Sequence, residues 1–166
     1  MFGLELHPAI IHYPIALGSV GALALLAYAL FRREWLRWFG PILLTMALAG
    51  AGAAYFSGES AHDRAEDIGV PHEEIERHEE TAIWGIGILA LATLLGWATT
   101  RGRRGVWVAA ALAVAAAGVI LWAAHLGGRL VFIYGAGRVT KGADSSMVKP
   151  PQEAPAPRGA ESRSLR

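Results

Sequence analysis

The sequence predicts an all-α fold: an integral membrane four-helix up-and-down bundle, with a short interfacial C-terminal segment and a disordered tail. Three observations point to it. Four apolar stretches occupy about residues 8–31, 38–56, 81–100 and 106–126, each close to the ~20 residues a helix needs to cross ~30 Å of hydrocarbon. Charge is scarce: 17% of the 166 residues are charged and 54% hydrophobic, against roughly 25% charged in ordinary soluble domains. The connections alternate in sign: the first and third are short and basic, and the middle one, residues 57–80, is acidic. Helix is the only choice for single spans, because backbone facing lipid must satisfy its hydrogen bonds internally.

The first stretch carries no charge from Ile15 to Phe31. Pro8 suits a first-turn position with His7 as cap, whereas Pro14 lies further in, removes a bond to the Ile10 carbonyl and predicts a kink beside His12. Positive residues follow this apolar run and do not precede it, so it reads as a retained helix, not a signal peptide. Ala47, Gly50, Ala51, Ala54 and Gly58 mark a stripe of small residues along the second stretch and just beyond it, matching Gly18, Gly21 and Ala22 in the first and Gly85 and Gly118 later. Small residues let helix backbones approach closely in lipid. Residues 73–80 extend the third helix upward, with Pro71 near its first turn. The fourth helix is expected to end at Gly127-Gly128, leaving residues 130–134 along the interface. Residues 1–139 thus form the membrane domain. Residues 140–166, with Pro150, Pro151, Pro155 and Pro157, form a tail that cannot bury a core.

Charge orients the bundle. The first connection holds Arg32, Arg33 and Arg37, the third Arg101, Arg103 and Arg104, while residues 57–80 hold nine acidic residues against Arg64 and Arg77. The positive-inside rule places the arginine-rich connections in the cytoplasm, with both termini and the acidic segment outside a bacterial inner membrane. The tail from Arg129 onward, seven basic residues against three acidic, opposes this, but residues far from a span weigh little. A net charge of +1 gives no reason to expect nucleic acid. Cysteine is absent, which excludes disulfides, iron–sulfur clusters and covalently attached haem, and leaves histidine and carboxylate as the strong ligands.

Four of the six histidines, His12, His62, His78 and His125, fall where spans meet one face of the membrane. At ~1.5 Å per residue their levels agree within about two turns. Glu59 and His62 lie three apart and Glu74 and His78 four apart, so each pair shares a helical face, a spacing used in bundle-core metal sites. Diagonal helices of a square bundle lie roughly 13 Å apart, about the separation at which two opposed imidazoles hold a haem iron. The first and third helices are diagonal, which makes His12 and His78 the axial pair, with His62 and His125 on the other diagonal. A compact transition metal ion would instead gather three or four of His12, Glu59, His62, His78 and His125. The plainer readings make His7 a helix cap, His72 an exposed loop residue, and the remaining rings hydrogen-bonding partners for one another or for the carbonyl freed by Pro14. The tryptophans near span ends read as an aromatic belt.

The string Leu6-His7-Pro8-Ala9-Ile10-Ile11-His12-Tyr13-Pro14-Ile15 resembles the opening HPxxVHFPI of a bacterial membrane-domain family known as domain of unknown function 2231. Ser57-Gly58-Glu59-Ser60-Ala61, Glu76-Arg77-His78-Glu79 and the run from Gly127 to Gly137 fit the same family, in order, over about residues 4–139. The resemblance implies a four-helix membrane domain of unassigned activity. Some members occur beside Rieske or cytochrome c modules, which implies electron transfer. Members often carry histidine where this chain has Tyr134 and an acidic residue where it has His62; the second departure demotes His62 and leaves His12 and His78 foremost, with His125 and His7 behind them. The expected function is therefore a b-type haem electron carrier near the periplasmic face, served by a periplasmic redox carrier or a cytochrome or Rieske module. Lipid is the other partner, and a second copy of the chain a further one. The alternatives are a non-redox structural or assembly subunit with no cofactor, or a non-haem metal protein. Enzyme chemistry is not expected, since no nucleophile or protease motif supports it.

Overall fold

A computed structural model describes residue 7 and residues 9–136, without the side chains of residues 59 and 60. It contains four long helices: α1 (His12–Phe31), α2 (Glu34–Asp67), α3 (His72–Thr99) and α4 (Val106–Phe132). All four are long and apolar enough to cross a membrane. At ~1.5 Å per residue, the 20 residues of α1 match the hydrocarbon thickness, while the 34, 28 and 27 residues of α2, α3 and α4 overrun it. The overrun lies at the acidic end, where the close of α2, the start of α3 and the close of α4 form a polar crown.

The helices pack in a square, α1 against α2 and α4, and α3 against α2 and α4, so that α1 and α3 are diagonal. Each connection has its own stop. Arg32 adopts the left-handed region (φ 58°) and its N–H bonds the Tyr28 carbonyl, reversing the chain within two residues. Gly69 (φ 84°) ends α2: the Val70 N–H reaches back to the Ala65 carbonyl at 3.0 Å and the two side chains pack together, with Pro71 following as the cap of α3. This is a Schellman closure, in which glycine takes the left-handed position and the next residue supplies the apolar contact. Both arginine-rich connections lie at the end opposite the crown, where Arg103 sits over the buried Tyr28 ring.

The core is built from small residues. Ala22, Ala47, Ala51, Ala92, Ala109, Ala113 and Ala116 are buried, and Leu25, Leu44 and Leu89 fill the remaining space. A Cβ on Gly21 would stand 2.9 Å from Leu44 Cδ2, and one on Gly40 2.9 Å from Leu25 Cγ, so these leucines seat on bare backbone. Large apolar side chains face outward instead, among them Leu23, Phe31, Trp84, Leu94, Trp107 and Phe132. That inversion suits a lipid surround.

Three boundaries differ from the sequence reading. Helical backbone at residues 9–10 leads into α1 through Ile11, which stays in the αR region (φ −59°, ψ −22°) with its N–H on the His7 carbonyl at 3.1 Å, so the N–H missing at Pro14 changes the hydrogen bonding beside His12 without turning the chain out of the helical region there. The second helix continues to Asp67, well past the apolar stretch, because its acidic extension is closed by Gly69. The fourth does not stop at Gly127-Gly128. It runs to Phe132, and Gly135 (φ 78°) turns the chain so that the Ala136 N–H meets the Leu130 carbonyl. Leu130 is buried against Ala65, Val70 and Ile75, so residues 130–132 are the end of a packed helix and not an interfacial strip. The tail (140–166) and Pro8 lie outside the described residues.

Candidate functional site

At the acidic end the bundle brings His7 and His78 in from the α1 and α3 sides. The His78 ring lies over Gly127 of α4, where a Cβ would stand 3.0 Å from its Cε1, and His78 Nδ1 donates to the Ala123 carbonyl at 2.9 Å. The His7 ring lies over Gly58 of α2, where a Cβ would stand 3.2 Å from Cε1, and its Nδ1 is 2.9 Å from Ser57 Oγ. Ser57 Oγ is also 2.9 Å from the Ala54 carbonyl, an arrangement satisfied when the hydroxyl donates to that carbonyl and accepts from His7 Nδ1–H. Both neutral rings are thereby held as the Nδ1–H tautomer, and Nε2 carries the lone pair. Among the described residues, His78 Nε2 has no hydrogen-bond partner. Both rings are partly buried, and they stand near enough for a charge on one to be felt at the other.

The other expected ligands are placed differently. His12 is exposed on α1, so the ring presented from the α1 side is that of His7. His125 is also exposed: it stacks on Trp122 (ring centroids 5.2 Å apart), while the buried Ala123 and Leu126 mark the inward face of α4. A residue between two inward positions at 100° per residue points away from them. The pairing of His62 with His125 across the bundle is not formed. The Glu59 side chain lies outside the described residues. Glu74 and His78 do share a face, as their spacing requires, and both turn to α4, where Glu74 meets Arg129 at 3.4 Å.

A second constellation closes the crown. His62 and Glu66 lie one turn apart near the end of α2, and the Gly69 turn returns His72, the first residue of α3, beside them. Glu66 Oε1 is 3.5 Å from His62 Nε2 and 2.6 Å from His72 Nδ1. Behind them, Glu79 Oε1 accepts from His62 Nδ1 at 2.7 Å, and Glu76 Oε1 stands 3.3 Å from His72 Nε2. These carboxylates favour protonated rings. The hydrogen bond to Glu79 holds the His62 imidazolium above its ordinary range, and that to Glu66 does the same for His72. The His72 contact in turn holds the Glu66 carboxyl low. His62 is the member of this group expected from the sequence; His72 is exposed as expected but opens α3 instead of lying in a loop, and Glu66 is the member the sequence did not point to. An i, i+4 His–Glu pair followed by Gly-x-Pro-His was the available clue.

Four apolar helices, an apolar outward surface and a polar crown at one end define an α-helical membrane domain. A family model described as a predicted membrane protein, domain of unknown function 2231, matches residues 3–140, and the chain belongs to that family. No curated protein and no solved structure matches it.

Proposed function

We propose that this domain is a b-type haem electron carrier of the bacterial inner membrane, with His7 and His78 as the axial ligands. The observation that carries the reading is the tautomer lock. Each ring is anchored through Nδ1–H to a neighbouring helix and seated on a glycine, which leaves Nε2 as the coordinating atom, the arrangement that protein-held metal centres use to orient imidazole. His78 belongs to α3, and His7 precedes α1, the helix diagonal to it. A haem held there would supply one-electron carriage. The chain's own part is to orient the two imidazoles through Ser57 and the Ala54 and Ala123 carbonyls, and to hold the site at one end of the bundle.

The positive-inside rule supports an external crown, since the arginines cluster at the opposite end. Its acidic surface suits a basic periplasmic redox protein docked by charge. The test is optical. Protein gently extracted from haem-replete cells is expected to show a Soret band with bis-imidazole features, lost in His7→Ala and His78→Ala and retained in His12→Ala and His125→Ala. A colourless preparation would overturn the proposal and leave the two histidines as struts between helices.

A further inference from the structure

We propose a second, separate site: a divalent transition ion of the zinc class, bound in the crown by His62 Nε2, Glu66 Oε1 and His72 Nδ1, with its remaining position open to water. It does not depend on haem: its ligand atoms belong to His62, Glu66 and His72, and none of these is proposed to hold the haem.

The three ligand atoms already lie within 4.8 Å of one another. Two ligands ~2.1 Å from a tetrahedral ion stand ~3.4 Å apart. The His62–Glu66 separation of 3.5 Å meets that distance, and the 2.6 Å contact between His72 and Glu66 needs to open by less than an ångström. The two ring centroids are 6.0 Å apart at 77°, so the imidazoles converge without stacking. Imidazole and carboxylate together suit zinc-class ions, whereas calcium and magnesium prefer sites made of oxygen alone.

The surroundings point to a ligand as well. Each imidazole has a carboxylate at the ring nitrogen turned away from Glu66: Glu79 behind His62 and Glu76 behind His72. This carboxylate–histidine pairing fixes the tautomer and raises the basicity of metal-bound imidazole. It occurs here on both rings, in the orientation that frees the two nitrogens facing Glu66. Residues 57–80 add a strongly negative field. The backbone is fixed too: His62 and Glu66 sit on one helical face, and the left-handed Gly69 sets the return angle that delivers His72. An ion there would fasten the end of α2 to the start of α3.

The test uses full-length protein in nanodiscs, purified on a tag without histidine and stripped with chelator. Zinc titration against a chromophoric competitor is expected to show one saturable site per chain, and cobalt to give visible bands of a low-coordinate N/O set. His62→Ala and His72→Ala should each weaken binding by at least ~100-fold. Glu79→Gln should weaken it by about tenfold, as outer-shell losses do, and Glu73→Gln should leave it unchanged. Absence of saturable binding, or binding that survives the His62→Ala/His72→Ala double variant, would overturn the site. Any Soret band should be indifferent to His62→Ala, His72→Ala and Glu73→Gln, so the two proposals fail separately.

Discussion

A partly buried imidazole whose Nδ1–H is held by a carbonyl one helix away has its other nitrogen fixed in both direction and protonation, and His78 is in that position. Its seat depends on Gly127. A Cβ there would stand 3.0 Å from Cε1, so Gly127→Val must push the ring off the Ala123 carbonyl. The expected loss is about 1–3 kcal/mol in detergent unfolding, with none for the same change at Gly128, where nothing lies within 4 Å. The crown histidines behave differently because they are more exposed and paired with carboxylates. Their folded-state affinity for a proton is raised, so the stabilisation is complete below their ordinary value of about 6.5 and is lost as pH rises through the raised values. Glu66 is held low, so its share is present above about 4.5 and lost as pH falls further. In metal-free protein, amide protection across residues 62–76, taken relative to the intrinsic exchange rate at each pH, should therefore be greatest between about pH 5 and 6 and fall as pH rises through the raised histidine values. A flat profile would show that the pairs contribute nothing.

At the scale of the element, the stops are set by glycines in the left-handed region. Gly69→Ala places a side chain at φ 84°, which costs about 1–2 kcal/mol. It should free the turn first, read as faster exchange at residues 66–72, with α1 unaffected. Gly127 and Gly128 show the opposite use. Glycine normally weakens a helix by about 1 kcal/mol, yet here the helix continues, because Leu130 is buried against Ala65, Val70 and Ile75, and Arg129 meets Glu74. Packing outweighs the local preference. In the bundle core, Gly21→Leu must displace Leu44, whose Cδ2 would lie 2.9 Å from the new Cβ, and should separate α1 from α2 with a clear fall in thermal stability.

At the scale of the molecule, the basic end and the acidic crown face opposite sides of one bilayer. The chain has no cysteine, so single substitutions report topology directly. Glu73→Cys should react with a membrane-impermeant maleimide in intact cells, and Gly102→Cys only after lysis. The reverse labelling would invert the orientation and with it the proposed periplasmic exchange of electrons.

Membership of the membrane class, the number of spans and the charge asymmetry could be read from residue order, because length, apolarity and the positions of arginine are local properties. The start of α3 at Pro71 was legible for the same reason. Which histidines meet was not. That depends on the rotation of each helix about its axis, and every span is nearly all apolar, so periodicity leaves the inward face undefined. The alanine and glycine contacts set those rotations: they turned His125 outward onto Trp122, left His12 exposed, and seated His7 and His78 on Gly58 and Gly127. His72 joined His62 and Glu66 through a backbone turn at Gly69, a juxtaposition made by chain reversal that no spacing along the sequence measures.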